Sequence, residues 1–179
     1  MDREDLLIAS RMVRPVYAYS FFFVTHRLLD YTIIFEYEDP LEYYRKVIED
    51  PDLYEEELEK LRINMQNILD DEVTRFNDKE IHPKVVFVDI GFREDFKRPY
   101  IVFRVSADIE LRKGRNVYEN IYEATYAEYD YSSYWYLPKG SRIIEVIIDG
   151  TWEIEGENLI IYVKKNTRIR GYEKITFII

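Results

Sequence analysis

The chain has 179 residues, 47% of them hydrophobic and 34% charged, with a formal net charge of −10. That is long enough for one domain with a sizeable core and too apolar for a disordered segment. Cysteine is absent and histidine occurs twice, at His26 and His82. Disulfides, thiolate metal sites, cysteine nucleophiles and a three-histidine zinc site are therefore excluded. No apolar run approaches the ~20 residues of a membrane span, and Met1-Asp2-Arg3-Glu4-Asp5 leads only into Leu6-Leu7-Ile8, unlike an export leader. A soluble, cytoplasmic protein is expected. Abundant Glu, Lys, Arg and Ile with a single glutamine, Gln66, is a thermophile-type composition. The acidity is local: Met1 to Glu80 holds 20 acidic and 10 basic residues, and Ile81 to Ile179 holds 15 of each.

Residues 1–13 read as a short helix or an N-terminal arm of a single domain spanning 1–179. Val16 to Val24 is apolar on both alternating faces, as in the middle of a covered sheet. Tyr31 to Tyr37 follows as an amphipathic strand with Tyr31, Ile33, Phe35 and Tyr37 on one face, and the short link predicts a hairpin. Asp39-Pro40-Leu41-Glu42 combines an N-cap acceptor, proline at the first helical position and a capping-box glutamate, which predicts a short helix. Asp50-Pro51 repeats the signal ahead of a long helix whose stripe is Tyr54, Leu58, Leu61, Met65, Ile68, Leu69 and Val73.

Beyond Pro83 the pattern is almost wholly β. Strands are predicted at Val85 to Phe92, Tyr100 to Leu111, Val117 to Tyr129, Arg142 to Ile148, Thr151 to Glu155, Leu159 to Lys164 and Tyr172 to Ile179, with all six glycines at or near the breaks. The expected fold class is α+β: a twisted antiparallel sheet of seven to nine strands, meander-rich in its C-terminal half, packed against one long amphipathic helix and a shorter one.

The chemistry-bearing candidates are few. Pairing the apolar faces of the two strands after Pro83 sets Val88 opposite Phe103, which leaves Asp89, Asp108 and Glu110 apart and makes Asp89 a cross-strand partner of Arg104. No metal site, cofactor or catalytic residue is predicted. No G-x-S-x-G, P-loop, dinucleotide fingerprint or H-E-x-x-H occurs. Two basic turns, Arg112, Lys113 and Arg115 and then Lys164, Lys165, Arg168 and Arg170, could face phosphates or serve as ordinary charged turns that protect strand edges.

The most unusual stretch runs from Tyr126 to Pro138 and carries Tyr129, Tyr131, Tyr134, Trp135 and Tyr136. Ser132-Ser133 breaks it into a predicted loop, and three successive rings cannot share one strand face, so at least one ring is expected outside. Such rings suit recognition, giving large area at low entropic cost with a polar tip. The leading expectation is a non-enzymatic interaction module that uses this segment to hold a protein partner or a second copy. One alternative is a small-ligand binder with a Tyr-lined cavity between sheet and helix. A nucleic-acid binder acting through the basic turns is the other.

Overall fold

The computed structural model describes residues 3–179. Its elements are α1 (Arg3–Met12), β1 (Arg14–Val24), β2 (Leu28–Glu38), α2 (Tyr43–Ile48), α3 (Pro51–Asp71), β3 (Val73–Phe76), β4 (Lys79–Ile81), β5 (Lys84–Phe92), β6 (Pro99–Asp108), β7 (Arg115–Ile121), β8 (Thr125–Tyr126), β9 (Asp130–Tyr136), β10 (Arg142–Ile147), β11 (Thr151–Glu155), β12 (Asn158–Val163), β13 (Arg168–Ile169) and β14 (Tyr172–Ile178). The class is α+β, as expected. The strands form two large sheets rather than one: a seven-stranded sheet ordered β11-β12-β9-β1-β2-β6-β5 and a five-stranded sheet ordered β10-β14-β7-β3-β4, with β13 and β8 as a small ribbon. Every pairing is antiparallel except β1 with β9, which makes the larger sheet mixed.

The β1–β2 hairpin forms where the alternation placed it, with Phe22 opposite Tyr31 and Ser20 opposite Ile33. The expected register of the next pair also holds: Val88 lies opposite Phe103 and Asp89 opposite Val102. The ion pair inferred from it does not form. Arg104 turns to its other neighbour, donating to Asp30 at 2.6 Å, while Asp89 accepts from the Tyr54 hydroxyl at 3.2 Å. Asp30 is diagonal to Arg104 across β2, within reach of a long side chain.

The helix signals divide. At α3 the Asp50 side chain accepts from the Asp52 and Leu53 amides with Pro51 in the first turn, as the cap predicts. At α2 the helix starts later than Asp39-Pro40 implies. Glu42 adopts a left-handed conformation (φ 53°), so residues 39–42 form a turn, and the buried Asp39 side chain accepts from the Tyr44 amide instead. α3 stops at Asp71, so Val73 begins β3 rather than ending the stripe, and Ile68 is exposed. Met65 and Leu69 are the stripe positions that become buried. Gln66 ties α3 to the sheet edge: its amide donates to the Pro83 carbonyl at 3.1 Å and its oxygen accepts from the Val85 amide at 3.0 Å. Backbone groups of an edge strand are satisfied in this way without inviting another chain.

The two sheets face each other across one core that includes Leu29, Tyr31, Phe76, Val105, Tyr118, Trp135, Leu159, Ile161, Ile175 and Phe177. Because side chains alternate along a strand, the inward row of β1 is Ala18, Ser20 and Phe22, and its outward row is Tyr17, Tyr19, Phe21 and Phe23. Only one face of β1 is therefore covered by another layer. The apolar residues on its other face stack along the sheet, Phe21 on Tyr134 at 5.2 Å and Phe23 on Tyr136 at 4.8 Å.

Candidate ligand cavity between the sheets

On the inner face of the smaller sheet, Thr74 of β3, Asn120 of β7 and Glu173 of β14 fall into one row across the strands. Alternation dictates this, since Glu173 shares a face with Ile175 and Phe177, and Asn120 with Tyr118. The row is hydrogen-bonded. Thr74 Oγ1 donates to Asn120 Oδ1 at 3.0 Å, and Asn120 Nδ2 donates to Glu72 Oε2 at 2.8 Å. The Tyr122 hydroxyl donates to Glu173 Oε1 at 2.7 Å. Tyr122 is positioned by its backbone, whose amide donates to the Gly171 carbonyl at 3.0 Å. Gly171 has φ +80°, and a side chain there would run into the Tyr122 carbonyl, so glycine is required at this crossing.

The opposing wall comes from the larger sheet. Ser133 of β9 lies between Ser20 of β1 and Ile161 of β12, and Ile33 of β2 extends the row. Two adjacent serines leave room where neighbouring rows carry rings. The result is a cavity of about 310 Å³ with Glu72, Asn120, Tyr122 and Glu173 on one side and Ser20, Phe22, Tyr131, Ser133 and Trp135 on the other. Thr125, an exposed lining residue, stands at its rim. Phe22, Ile33, Tyr131 and Glu173 point between the layers yet keep accessible surface, because that surface opens into the cavity.

Burial dominates the electrostatics. Glu173 is enclosed by protein, and loss of hydration raises its carboxyl to about 7; Glu72 and Asp149 add repulsion, while the Tyr122 hydrogen bond opposes the shift. Burial also raises Glu72, against the Asn120 amide that favours its charged form. The Tyr122 and Tyr131 phenols are held neutral, first by burial and then by the Glu173 charge. Among the described residues no lysine, arginine or histidine lines the cavity. It can therefore offer two carboxyls, one poised to change protonation near neutrality, together with an amide, phenolic hydroxyls and aromatic faces.

The aromatic segment singled out by sequence is divided by the sheet. The predicted loop at Ser132-Ser133 is instead β9, a central strand. Two serines do not interrupt a strand whose neighbours on both sides supply the ladder. Trp135 is buried, parallel to the Phe22 ring at 4.1 Å and tilted against Tyr118 at 4.7 Å. Tyr131 joins the cavity wall, and Tyr129 precedes β9 with its ring edge-on to Phe35 at 6.4 Å. Tyr134 and Tyr136 face outward, half-buried beneath their stacks on Phe21 and Phe23.

The basic turns are not brought together. Arg112, Lys113 and Arg115 lie where β7 begins, beside the chain's last residue, and Lys164, Lys165, Arg168 and Arg170 lie near the other end of the β7–β14 ladder. The ladder separates them by roughly 20 Å at ~3.3 Å per residue. Lys164 is paired with Asp130 at 3.0 Å, Arg170 with Asp149 at 2.7 Å and Arg112 with Asp78 at 3.9 Å. The polar row of Thr74, Asn120 and Glu173 was missed by sequence reasoning. Its signal was an acid two residues before Ile175 and four before Phe177, on the core-facing parity of a strand.

No family model and no curated protein matches the chain. Among solved structures, yeast LTA4 hydrolase bound to bestatin is similar at 8% identity and a TM-score of 0.37, covering 94% of this chain and 29% of that one. An M1 zinc metallopeptidase from Deinococcus radiodurans gives 6% identity and a TM-score of 0.36 over 92% of this chain and 42% of that one. An aminopeptidase N family protein from Idiomarina loihiensis gives 5% identity and a TM-score of 0.37 over 89% of this chain and 29% of that one. The chain thus spans less than half the length of these structures. Likeness at this level assigns it neither family nor activity.

Proposed function

We propose that this chain is a small-molecule-binding protein whose ligand occupies the cavity between the two sheets. One observation carries the reading: the space between the sheets includes a pocket of about 310 Å³, open at its rim, with a largely enclosed carboxyl, Glu173, facing into it. Interiors normally leave few voids larger than a water molecule, and a site with apolar walls and a few convergent polar groups is the usual form of a ligand pocket, at volumes of about 300–1,000 Å³. Compared with the sequence expectation, the Tyr-lined space lies between sheet and sheet rather than sheet and helix.

The test uses the full chain and three ring-bearing probes of similar size, phenethylammonium, 2-phenylethanol and phenylacetate, followed by NMR at Tyr122, Tyr131 and Trp135. At least one probe is expected to shift these signals, and Ser133→Leu or Ser20→Val, each filling the cavity, is expected to abolish the shift while the protein stays folded. If no probe perturbs the three residues, or if the filled variants bind as well as the parent, the reading fails.

A second reading rests on a different observation, the outward aromatic ladder of Phe21, Phe23, Tyr134 and Tyr136. Those rings support an assembly face for a second copy of this chain, which is the leading sequence expectation moved from a loop to a strand surface. No helix among the described residues is long and apolar enough to cross a membrane. A cytoplasmic setting and a thermophilic origin stay with this reading as compositional expectations. The nucleic-acid reading has no comparable support, since its two basic turns lie apart and three of their cations have carboxylate partners.

A further inference from the structure

We propose that the ligand of the inter-sheet cavity is a small organic cation, an ammonium group on an apolar or aromatic body, with its charge against Glu173 and Glu72 and its body on Trp135, Phe22 and Tyr131. This rests on the reading of the cavity as a ligand site and names the chemistry of its occupant.

Three features of the wall select for positive charge. Two acids, Glu72 and Glu173, line it, and among the described residues no basic side chain does. An anion would meet two carboxyls and no counter-charge. Next, the protein satisfies each acid at one oxygen only. Among the described residues Asn120 donates to Glu72 Oε2 and Tyr122 to Glu173 Oε1, so that Glu173 Oε2, like Glu72 Oε1, has no donor. An ammonium group presents several N–H donors and no acceptor, the complement of those oxygens. Finally, Phe22, Tyr122, Tyr131 and Trp135 surround the same space, and the face of an aromatic ring attracts a cation, most strongly where water is excluded.

A neutral hydroxylic ligand would satisfy hydrogen bonds but leave the carboxyls' mutual repulsion in place. A cation relieves it. The groups facing Glu173 are Glu72 at the start of β3, Tyr118 of β7, Tyr122 beyond it, Tyr131 of β9, and Asp149 after β10, the last already paired with Arg170. Among the described residues none of these groups but Arg170, which is committed to Asp149, brings a positive charge, so an entering ammonium supplies the missing counter-charge. Binding should therefore expel a proton from Glu173 wherever that carboxyl is protonated beforehand, and affinity should rise with pH through neutrality and level off above it.

Calorimetry on the full chain with the same three probes tests this. Phenethylammonium is expected to bind about tenfold or more tightly than 2-phenylethanol, and phenylacetate most weakly. Near pH 6.5 the ammonium probe should release protons, read as a dependence of the heat on the buffer's ionisation enthalpy. Glu173→Gln should weaken the ammonium probe by about tenfold, abolish the proton release and leave 2-phenylethanol within about twofold. Glu72→Gln is the second variant, should the first fold poorly, and should weaken the ammonium probe selectively too. If 2-phenylethanol or phenylacetate binds in the cavity as tightly as the ammonium probe, the cation is wrong and the ligand site stands. If none of the three binds, both are wrong.

Discussion

Between the sheets, the half around Trp135 is closed by rings, whereas the half around Glu173 is held open by polar groups. In the closed half Trp135 lies flat on Phe22 and against Tyr118, and Leu159, Phe76 and Ile175 are almost wholly inaccessible. One row further on, Ser20 and Ser133 replace rings on the larger sheet, and Thr74, Asn120 and Glu173 replace apolar residues on the smaller. The same strands build both halves, so strand geometry is not the cause. The difference lies in side-chain volume and polarity at successive inward positions. Polar residues stand where a core would ordinarily take apolar ones, the kind of local departure that proteins tolerate at functional sites and that the proposed ligand site rests on.

Removing a ring from the closed half should have the largest effect. Trp135→Ala deletes a buried indole touching two other rings and should cost about 3–5 kcal/mol, seen as a lower denaturant midpoint at unchanged slope. From the sequence, Trp135 stands among the rings expected to meet a partner, where its loss would spare the fold. The burial of the ring reverses that expectation. A cost below about 1 kcal/mol would mean that the closed half is not closed.

In the open half a substitution should stabilise. Glu173 ionises at about 7 in the folded chain, well above the ~4.3 of an exposed glutamate. Below pH 4 the carboxyl is protonated in both folded and unfolded states and contributes no pH dependence. As pH rises, the unfolded chain ionises first, so stability is lost until pH passes about 7 and is then level. Glu173→Gln keeps an acceptor for Tyr122 and carries no charge. It should exceed the parent by on the order of 3 kcal/mol at pH 8, with the gap closing toward pH 4. Paired denaturation curves at those two pH values measure it, and a gap that does not change with pH would remove the strain attributed to Glu173.

The legible parts of this protein were those governed by local alternation or capping. The β1–β2 hairpin, the β5–β6 register and the N-terminus of α3 each follow from a few adjacent residues. The β3–β4 hairpin was missed because both strands are very short, although Asn77-Asp78, both with positive φ, is a recognisable turn pair. The seam between β1 and β9 joins segments distant in sequence and in parallel, which no periodicity reports. The cavity was legible only as a possibility: its acids, Glu72 and Glu173, meet through β3, β7 and β14, whose order is a tertiary fact. The rule that Tyr134, Trp135 and Tyr136 cannot share a face did survive, with the middle ring inside and its neighbours outside.

The smallest effect on stability should come from that outer face. Tyr136 stacks on Phe23 at 4.8 Å, and Phe23 is 48% exposed, so neither ring fills space that the fold must close. Surface aromatic pairs on a sheet contribute roughly 0.2–1 kcal/mol each. Phe23→Ser combined with Tyr136→Ser should accordingly lower stability by about 1 kcal/mol or less, several times below the cost of Trp135→Ala although more aromatic surface is deleted. If the ladder is an assembly face, the double variant should also lower the mass found by light scattering while the monomer keeps its fold, because anchoring rings at an interface commonly contribute more than ~2 kcal/mol to association. A parent protein that is monomeric at all accessible concentrations would end the assembly reading and leave the cavity untouched. A double variant that unfolds would show instead that the outer rings support the sheet as strongly as the inner ones, and the contrast between the two faces of β9 would be lost.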